Sequence, residues 1–247
     1  MKNEQYIYGI RPVIEALKSG KEIERILLQK GLRGEGFHEL FGIIRQLEIP
    51  TQTVPVDKLN RITRKNHQGV VAFLSEISYQ RLDYIVPFIY EEGKIPLILV
   101  LDRITDVRNL GAIARTAECA GADAILLPVK GSAQINADTV KASAGALYKI
   151  PVCRCPDLQN SIQYMKNSGL RIFAATEKAG REHFRADFTG PSALILGSEE
   201  DGISPEILRL ADEEIRIPLQ GEIASLNVSV AAGILLYEAI RQRQNPR

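Results

Sequence analysis

The sequence predicts an α/β protein, with a small mixed module followed by a larger open parallel sheet covered by helices. Three features of the 247 residues lead there. Helical and extended patterns alternate along the N-terminal stretch up to Leu74. Pro96-Leu97-Ile98-Leu99-Val100-Leu101 is then an unbroken apolar run, of the kind found in parallel strands buried on both faces. A helical pattern and a second short apolar run follow it, which is the order of a βαβ unit.

In the first module Pro12–Lys18 reads as helix, Ile23–Gln29 as strand, Phe37–Leu47 as helix, Thr51–Val54 as strand, Val56–Thr63 as helix and Val70–Leu74 as strand. Residues 77–94 read as a linker whose amphipathic patch, Leu82–Tyr90, forms a short helix. This divides the chain into domains at 1–76 and 95–247. Past the apolar run, Asp102–Arg108 is a polar loop, Asn109 is placed to cap a helix over Leu110–Ala120, and Gly121 is placed to stop it. Ala124–Leu127, Arg171–Ala175, Ala193–Leu196 and Ile215–Pro218 read as further strands, and Ile203–Leu210 and Asn227–Arg243 as helices. Along the last helix Leu226, Val230, Ile234 and Tyr237 form a stripe that reads as its core face, while Ala231-Ala232-Gly233 leaves a thin face for another helix or subunit.

Composition narrows the class. With 45% hydrophobic and 25% charged residues, the chain is neither disordered nor fibrous. No apolar run approaches the roughly 18 residues of a membrane span, and Met1-Lys2-Asn3-Glu4-Gln5 does not open a signal peptide, so the expectation is a cytoplasmic protein. Cys119, Cys153 and Cys155 make neither a disulfide framework nor a paired C-x-x-C, and His38, His67 and His183 are scattered, so no metal is expected. The net charge of +1 is uneven: residues 1–80 carry 12 basic against 9 acidic residues, and the remainder 19 against 21.

Open parallel sheets bind ligands at the carboxyl ends of their strands, which directs attention to three loops. The first leads into Asn109-Leu110-Gly111-Ala112-Ile113-Ala114-Arg115, which lacks G-x-G-x-x-G and so disfavours ordinary dinucleotide binding. Arg115, among apolar neighbours, calls for a carboxylate or a phosphate. The second, Gly197-Ser198-Glu199-Glu200-Asp201-Gly202, sets three acids between glycines; it would repel a phosphate but tolerate a cationic sulfonium or pair with an arginine. The third, Leu219–Ser225, opens onto the last helix, which Ser225 or Asn227 can cap.

Taken in order, Asn109-Leu110-Gly111-Ala112-x-x-Arg115, Leu196-Gly197-Ser198-Glu199-x-x-Gly202, and Ile217-Pro218 followed by Ser225-Leu226-Asn227-Val228-Ser229 resemble the three signature motifs of the SpoU/TrmH family of SPOUT methyltransferases. Tyr8-Gly9-Ile10 and His67-Gln68-Gly69 resemble the L30e-like RNA-binding domain that precedes the catalytic domain in bacterial enzymes methylating a guanosine ribose of large-subunit rRNA. The resemblance implies a parallel sheet closed by a deep trefoil knot, S-adenosylmethionine as cofactor, RNA as substrate and a homodimer. It carries catalytic roles to Asn109, Arg115, Glu199, Ser225 and Asn227, and cofactor contacts to Thr176, Gly197, Ile217 and Leu226. On physical grounds Arg115 is expected to clamp an adjacent RNA phosphate and stabilise the developing alkoxide, with Glu199 and Asn109 orienting it. Glu200 and Asp201 make this loop more acidic than its relatives and receive no role. Lys30, Arg33, Arg61, Arg64, Lys65 and His67 are the expected RNA contacts of the first domain. Two alternatives stand beside rRNA ribose methylation: the same reaction on tRNA, and an inactive RNA-binding or ribosome-assembly protein.

Overall fold

The structure, a computed structural model, describes residues 5–244. It comprises two compact units, one reaching Ser78 and including Ile135–Ala137, the other formed by Tyr79–Gln134 and the chain from Asp138 onward.

The first unit runs β1 (Tyr6–Tyr8), α1 (Ile10–Lys18), β2 (Ile23–Gln29), α2 (Glu35–Gln46), β3 (Thr51–Val54), α3 (Val56–Ile62) and β4 (Val70–Leu74). Its sheet has the order β1-β4-β2-β3, parallel only between β2 and β3. Alternation along the strands divides the core: Ile26, Leu28, Val70 and Ala72 face Val13, Ile14, Leu40 and Ile44 of α1 and α2, whereas Leu27, Val71 and Phe73 face Leu59 of α3. Three strands fall where the apolar pattern sets them; β1 adds a fourth, pairing Tyr6–Tyr8 against Phe73–Val71.

The second unit continues with α4 (Leu82–Glu91), β5 (Leu97–Leu101), α5 (Val107–Cys119), β6 (Ala124–Pro128), α6 (Ala137–Ala142), β7 (Val152–Cys155), α7 (Leu158–Asn167), β8 (Arg171–Ala175), β9 (Arg181–Glu182), β10 (Ser192–Leu196), α8 (Pro205–Leu208), β11 (Glu213–Arg216) and α9 (Val228–Gln244). Its seven strands are all parallel, in the order β7-β6-β5-β10-β8-β11-β9. Every residue of β5 and β10 is buried, as their unbroken apolar sequences require. The far end of α9 is clamped to the sheet by Arg243. Its guanidinium donates to the carbonyls of Phe188 at 3.0 Å, Ile95 at 2.7 Å, and Pro96 and Gly190 at 2.8 and 2.9 Å.

Four expectations are corrected. The strand read at Ile215–Pro218 lies at Glu213–Arg216, because pairing with β8 begins at Glu213 and proline has no N–H to continue a ladder. Glu213 tolerates that position because Arg171 and Arg181 reach its carboxylate at 2.7 and 2.8 Å. The helix read over Ile203–Leu210 is the single turn Pro205–Leu208. The cap of α5 is Asp106, whose Oδ1 accepts from the amides of Arg108 and Asn109 at 2.7 and 3.0 Å, so the helix starts three residues before the predicted Leu110. The stripe Leu226, Val230, Ile234 and Tyr237 is not the core face of α9. The buried face is Val228, Ala232, Leu235, Leu236 and Ala239, leaving Leu226, Val230 and Tyr237 exposed. Both sets have helical spacing, and small Ala232 and Ala239 let α9 pack closely on the main body. The thin face receives α5: a Cβ on Gly233 would lie 3.6 Å from Thr116 Cγ2.

Candidate active site

Strand order reverses between β5 and β10, and a parallel sheet opens a crevice at such a point. The two strands are in register, Leu97 with Ser192 through Leu101 with Leu196, and the ladder extends one step as Asp102 N donates to Leu196 O at 2.8 Å. Residues 102–106 and 197–204 therefore leave the sheet side by side.

The second of these loops is folded on itself. Ser198 and Gly202 exchange both backbone hydrogen bonds, each at 3.0 Å. Its return strand lies so close to Gly197 that a Cβ there would sit 2.1 Å from Gly202 C and 2.2 Å from Ile203 N. Only glycine fits. Gly111 is confined in the same way by α6, with a Cβ falling 2.5 Å from Ala142 Cβ and 2.9 Å from Thr139 O. The close approach of α6 is what the Gly111-Ala112 pair provides for.

Asn227 connects the three motifs. Its Oδ1 caps α9, accepting from Ser229 N at 3.0 Å and Ser229 Oγ at 2.5 Å. Its Nδ2 donates to Asn109 Oδ1 at 3.1 Å and Glu199 Oε1 at 2.5 Å. Because Asp106 caps α5, the Asn109 side chain is free for this bond. Arg115 is not part of the network, contrary to the expectation that Glu199 and Asn109 orient it. It lies six residues beyond Asn109, about 9 Å along the helix axis, and is exposed on α5.

Two cavities flank the acidic loop. One, of about 330 Å³, is lined by Thr176, Gly197, Ile217, Leu226, Ser225 and Glu199, with Leu196 and Val228 as apolar wall. All four expected cofactor residues meet there. The other, of about 290 Å³, lies against Arg103, Thr105, Asp106, Asn109, Gly131 and Glu199. Ser198, Glu199, Glu200, Asp201 and Val228 belong to both, so the loop is a partition. Sequence reasoning did not find Arg103, Asp106 or Val228; Asp106 alone had a signal, as a capping residue at the start of a helix.

In the first unit Lys30, Arg33, Arg61, Arg64 and Lys65 are exposed. His67 is buried and is corrected from an RNA contact to a loop-forming group. Its Nδ1 accepts from Gly69 N at 3.0 Å, so Nε2 carries the proton toward Asn60 Oδ1, also at 3.0 Å. The two segments that resemble the RNA-binding domain meet here: Gln68 Oε1 accepts from Ile10 N at 3.1 Å, and Gly9 N donates to Val70 O at 3.0 Å. Cys153 is a core group, and its burial pushes the thiol up to about 12. Among the described residues no cluster of metal-ligating side chains occurs, and no helix is long and apolar enough to cross a membrane.

A wholly parallel sheet with cavities at the carboxyl ends of its strands, walled by loops rich in glycine and carboxylate, defines a ligand-binding α/β domain of the enzyme type. The chain belongs to the SpoU rRNA methylase family, whose model matches residues 96–237; residues 6–80 match the model described as RNA 2′-O ribose methyltransferase substrate binding. It is therefore an RNA methyltransferase of the SpoU/TrmH type. The Bacillus subtilis protein YacO, whose name places it among TrmH family tRNA/rRNA methyltransferases, is 35% identical over 247 residues, covering 99% of this chain and 98% of its own. The SpoU methyltransferase AviRb of Streptomyces viridochromogenes superposes with a TM-score of 0.63 at 26% identity, covering 99% of this chain and 91% of its own. AviRb is also known in complex with AdoMet. The AdoMet-bound rRNA methyltransferase of Sinorhizobium meliloti gives 0.62 at 28%, covering 98% and 88%.

The Gly197 geometry yields a test. Gly197→Ala should force the loop open, lowering unfolding stability by about 2 kcal/mol or more in urea titrations and abolishing ligand binding in the larger cavity by calorimetry. A variant as stable as the parent would show that the loop is not closed in this way.

Proposed function

We propose that the chain transfers the methyl group of S-adenosylmethionine to the 2′-hydroxyl of a ribose, and that its target is a guanosine of 23S rRNA. The single observation that carries this reading is Glu199, which stands in the wall between two cavities and is held there by Asn227. One side suits the cofactor. A volume of about 330 Å³ is within the range for small-molecule sites, Leu196, Ile217 and Leu226 offer apolar contact to a base, and the carboxylates tolerate a sulfonium. S-adenosylmethionine supplies there a methyl group on a positively charged sulfur, which is its own leaving group.

The chain's residues have the tasks of aligning the hydroxyl and removing its proton. The proton that the 2′-hydroxyl gives up would pass to the Glu199 carboxylate. Asn227 orients that carboxylate and is itself fixed by Asn109, and Ser225 lines the cavity beside it. The Arg115 guanidinium offers five donors and no acceptor; exposed on α5, it is available to clamp an RNA phosphate. Glu199→Gln should reduce turnover by about a hundredfold or more while retaining cofactor binding. The measurement is transfer of labelled methyl to ribosomal RNA followed by ribose-specific mapping. Label in tRNA would favour that substrate, and none in any RNA would favour a binding protein.

The first unit captures RNA through Lys30, Arg33, Arg61, Arg64 and Lys65. Replacing Arg61, Arg64 and Lys65 by alanine should weaken binding and flatten the dependence of log K on log salt by up to about 2 to 3 units. His67→Ala should instead lower stability and leave that slope unchanged, and a shallower slope for it would restore His67 as a contact.

A homodimer accounts for the apolar side chains that α9 leaves uncovered, Val230 and Tyr237. Sedimentation should give twice the chain mass at micromolar concentration, and Val230→Asp with Tyr237→Asp should halve it; a monomeric parent protein would exclude the dimer.

A further inference from the structure

Arg103 is the first side chain to turn off the central strand after Asp102, and it adopts φ +59°. Glycine takes that backbone conformation freely, whereas a side chain of ordinary chirality resists it. What the arginine does in return is visible in its contacts. Nη2 donates to Gly202 O at 3.0 Å, Nη1 donates to Asp201 Oδ2 at 3.3 Å, and Nε faces Asp102 Oδ1 at 3.4 Å. The carbonyl of Gly202 is the one that closes the loop by accepting from Ser198 N, so both of its lone pairs are used. Asp102, itself buried, holds the other side of the same loop, its Oδ2 accepting from Ser204 N at 2.7 Å.

We propose that Arg103 is a positioning residue for this site, and that its clasp on Asp201 and Gly202 fixes the loop that carries Glu199. The inference rests on the methyltransferase reading for its consequence, though not for its geometry. It also gives Asp201 a task. Glu199, Glu200 and Asp201 are three successive carboxylates on a loop of six residues, and they repel one another at short range. The guanidinium neutralises one of them and ties it to the backbone, away from Asn227. Glu199 is thereby left to a single partner, the Asn227 amide, with its orientation in the partition determined. An isolated half-exposed ion pair would carry little weight. This one adds a hydrogen bond to a carbonyl that the fold has already immobilised.

The test uses the full chain and the variants Arg103→Gly, Arg103→Lys, Asp201→Asn and Arg103→Gly with Asp201→Asn. Glycine relaxes the φ +59° backbone as it removes the guanidinium, so the thermal midpoint should stay near the parent value. Amide exchange at residues 198–203, measured without cofactor, should quicken about tenfold in Arg103→Gly. Its affinity for S-adenosylmethionine and its kcat should each fall by about five- to tenfold, with KM for RNA unchanged. Asp201→Asn should fall less, because it also relieves the repulsion, and the double variant should be no worse than Arg103→Gly. Arg103→Lys should restore part of the loss, since an ammonium can serve the carbonyl or the carboxylate but not both in a planar fork. Parent-like loop exchange in Arg103→Gly, or full additivity in the double variant, would overturn the proposal. Faster loop exchange in Arg103→Gly, in a protein whose parent binds no S-adenosylmethionine, would uphold the clasp and overturn the methyltransferase reading instead.

Discussion

Everything at the site depends on the in-register pairing of β5 with β10. Had β10 paired one residue out of step, its alternating side chains would exchange faces and Gly197 would no longer leave the sheet beside Asp102. The pairing joins strands almost a hundred residues apart in sequence, Leu101 with Leu196. It is secured by burial on both faces, since each apolar residue in the two strands is withdrawn from water. The loops can then be polar, closely approaching and acidic, because the sheet beneath them is rigid.

Asn227 is what makes a site of these loops. A carboxamide has one acceptor and one doubly donating nitrogen, and here the acceptor ends a helix while the nitrogen spans two other segments. The orientation of the amide is settled by that division of labour, since a flipped amide would present an oxygen to the Glu199 carboxylate. Helix capping of this kind contributes about 1 kcal/mol, so stability and alignment draw on the same group.

Much of this was legible from the residues. Ile23–Gln29, Val70–Leu74 and Arg171–Ala175 have the strand limits their apolar runs set, and Thr51–Val54 the limits its β-branched residues set. The three motifs drew attention to Asn109, Glu199 and Asn227, and these are in contact. What was not legible has physical causes. Along α9, Leu226-Val230-Tyr237 and Val228-Ala232-Leu235-Ala239 are competing helical faces, and which one is buried depends on the partner surface. Between Val129 and Leu170, α6, β7 and α7 have mixed composition, with Cys153-Arg154-Cys155 hiding a strand. His67 has the sequence setting of a surface group yet is enclosed by its own loop. Arg103 carries no pattern at all, because its value lies in a backbone angle and in partners about a hundred positions away.

The clamp at Arg243 has one more implication, for how the molecule is made. Asn227, the wall at Ser225 and Leu226, and the helix that Arg243 fastens to four carbonyls all follow β11 in the chain. During synthesis, domains fold as units while the chain emerges from its N-terminal end. The RNA-capturing module and the seven strands can thus be in place before the segment that completes the crevice is available. At that stage the crevice lacks Asn227 and its wall, so the part of the fold that aligns Glu199 is the last to form.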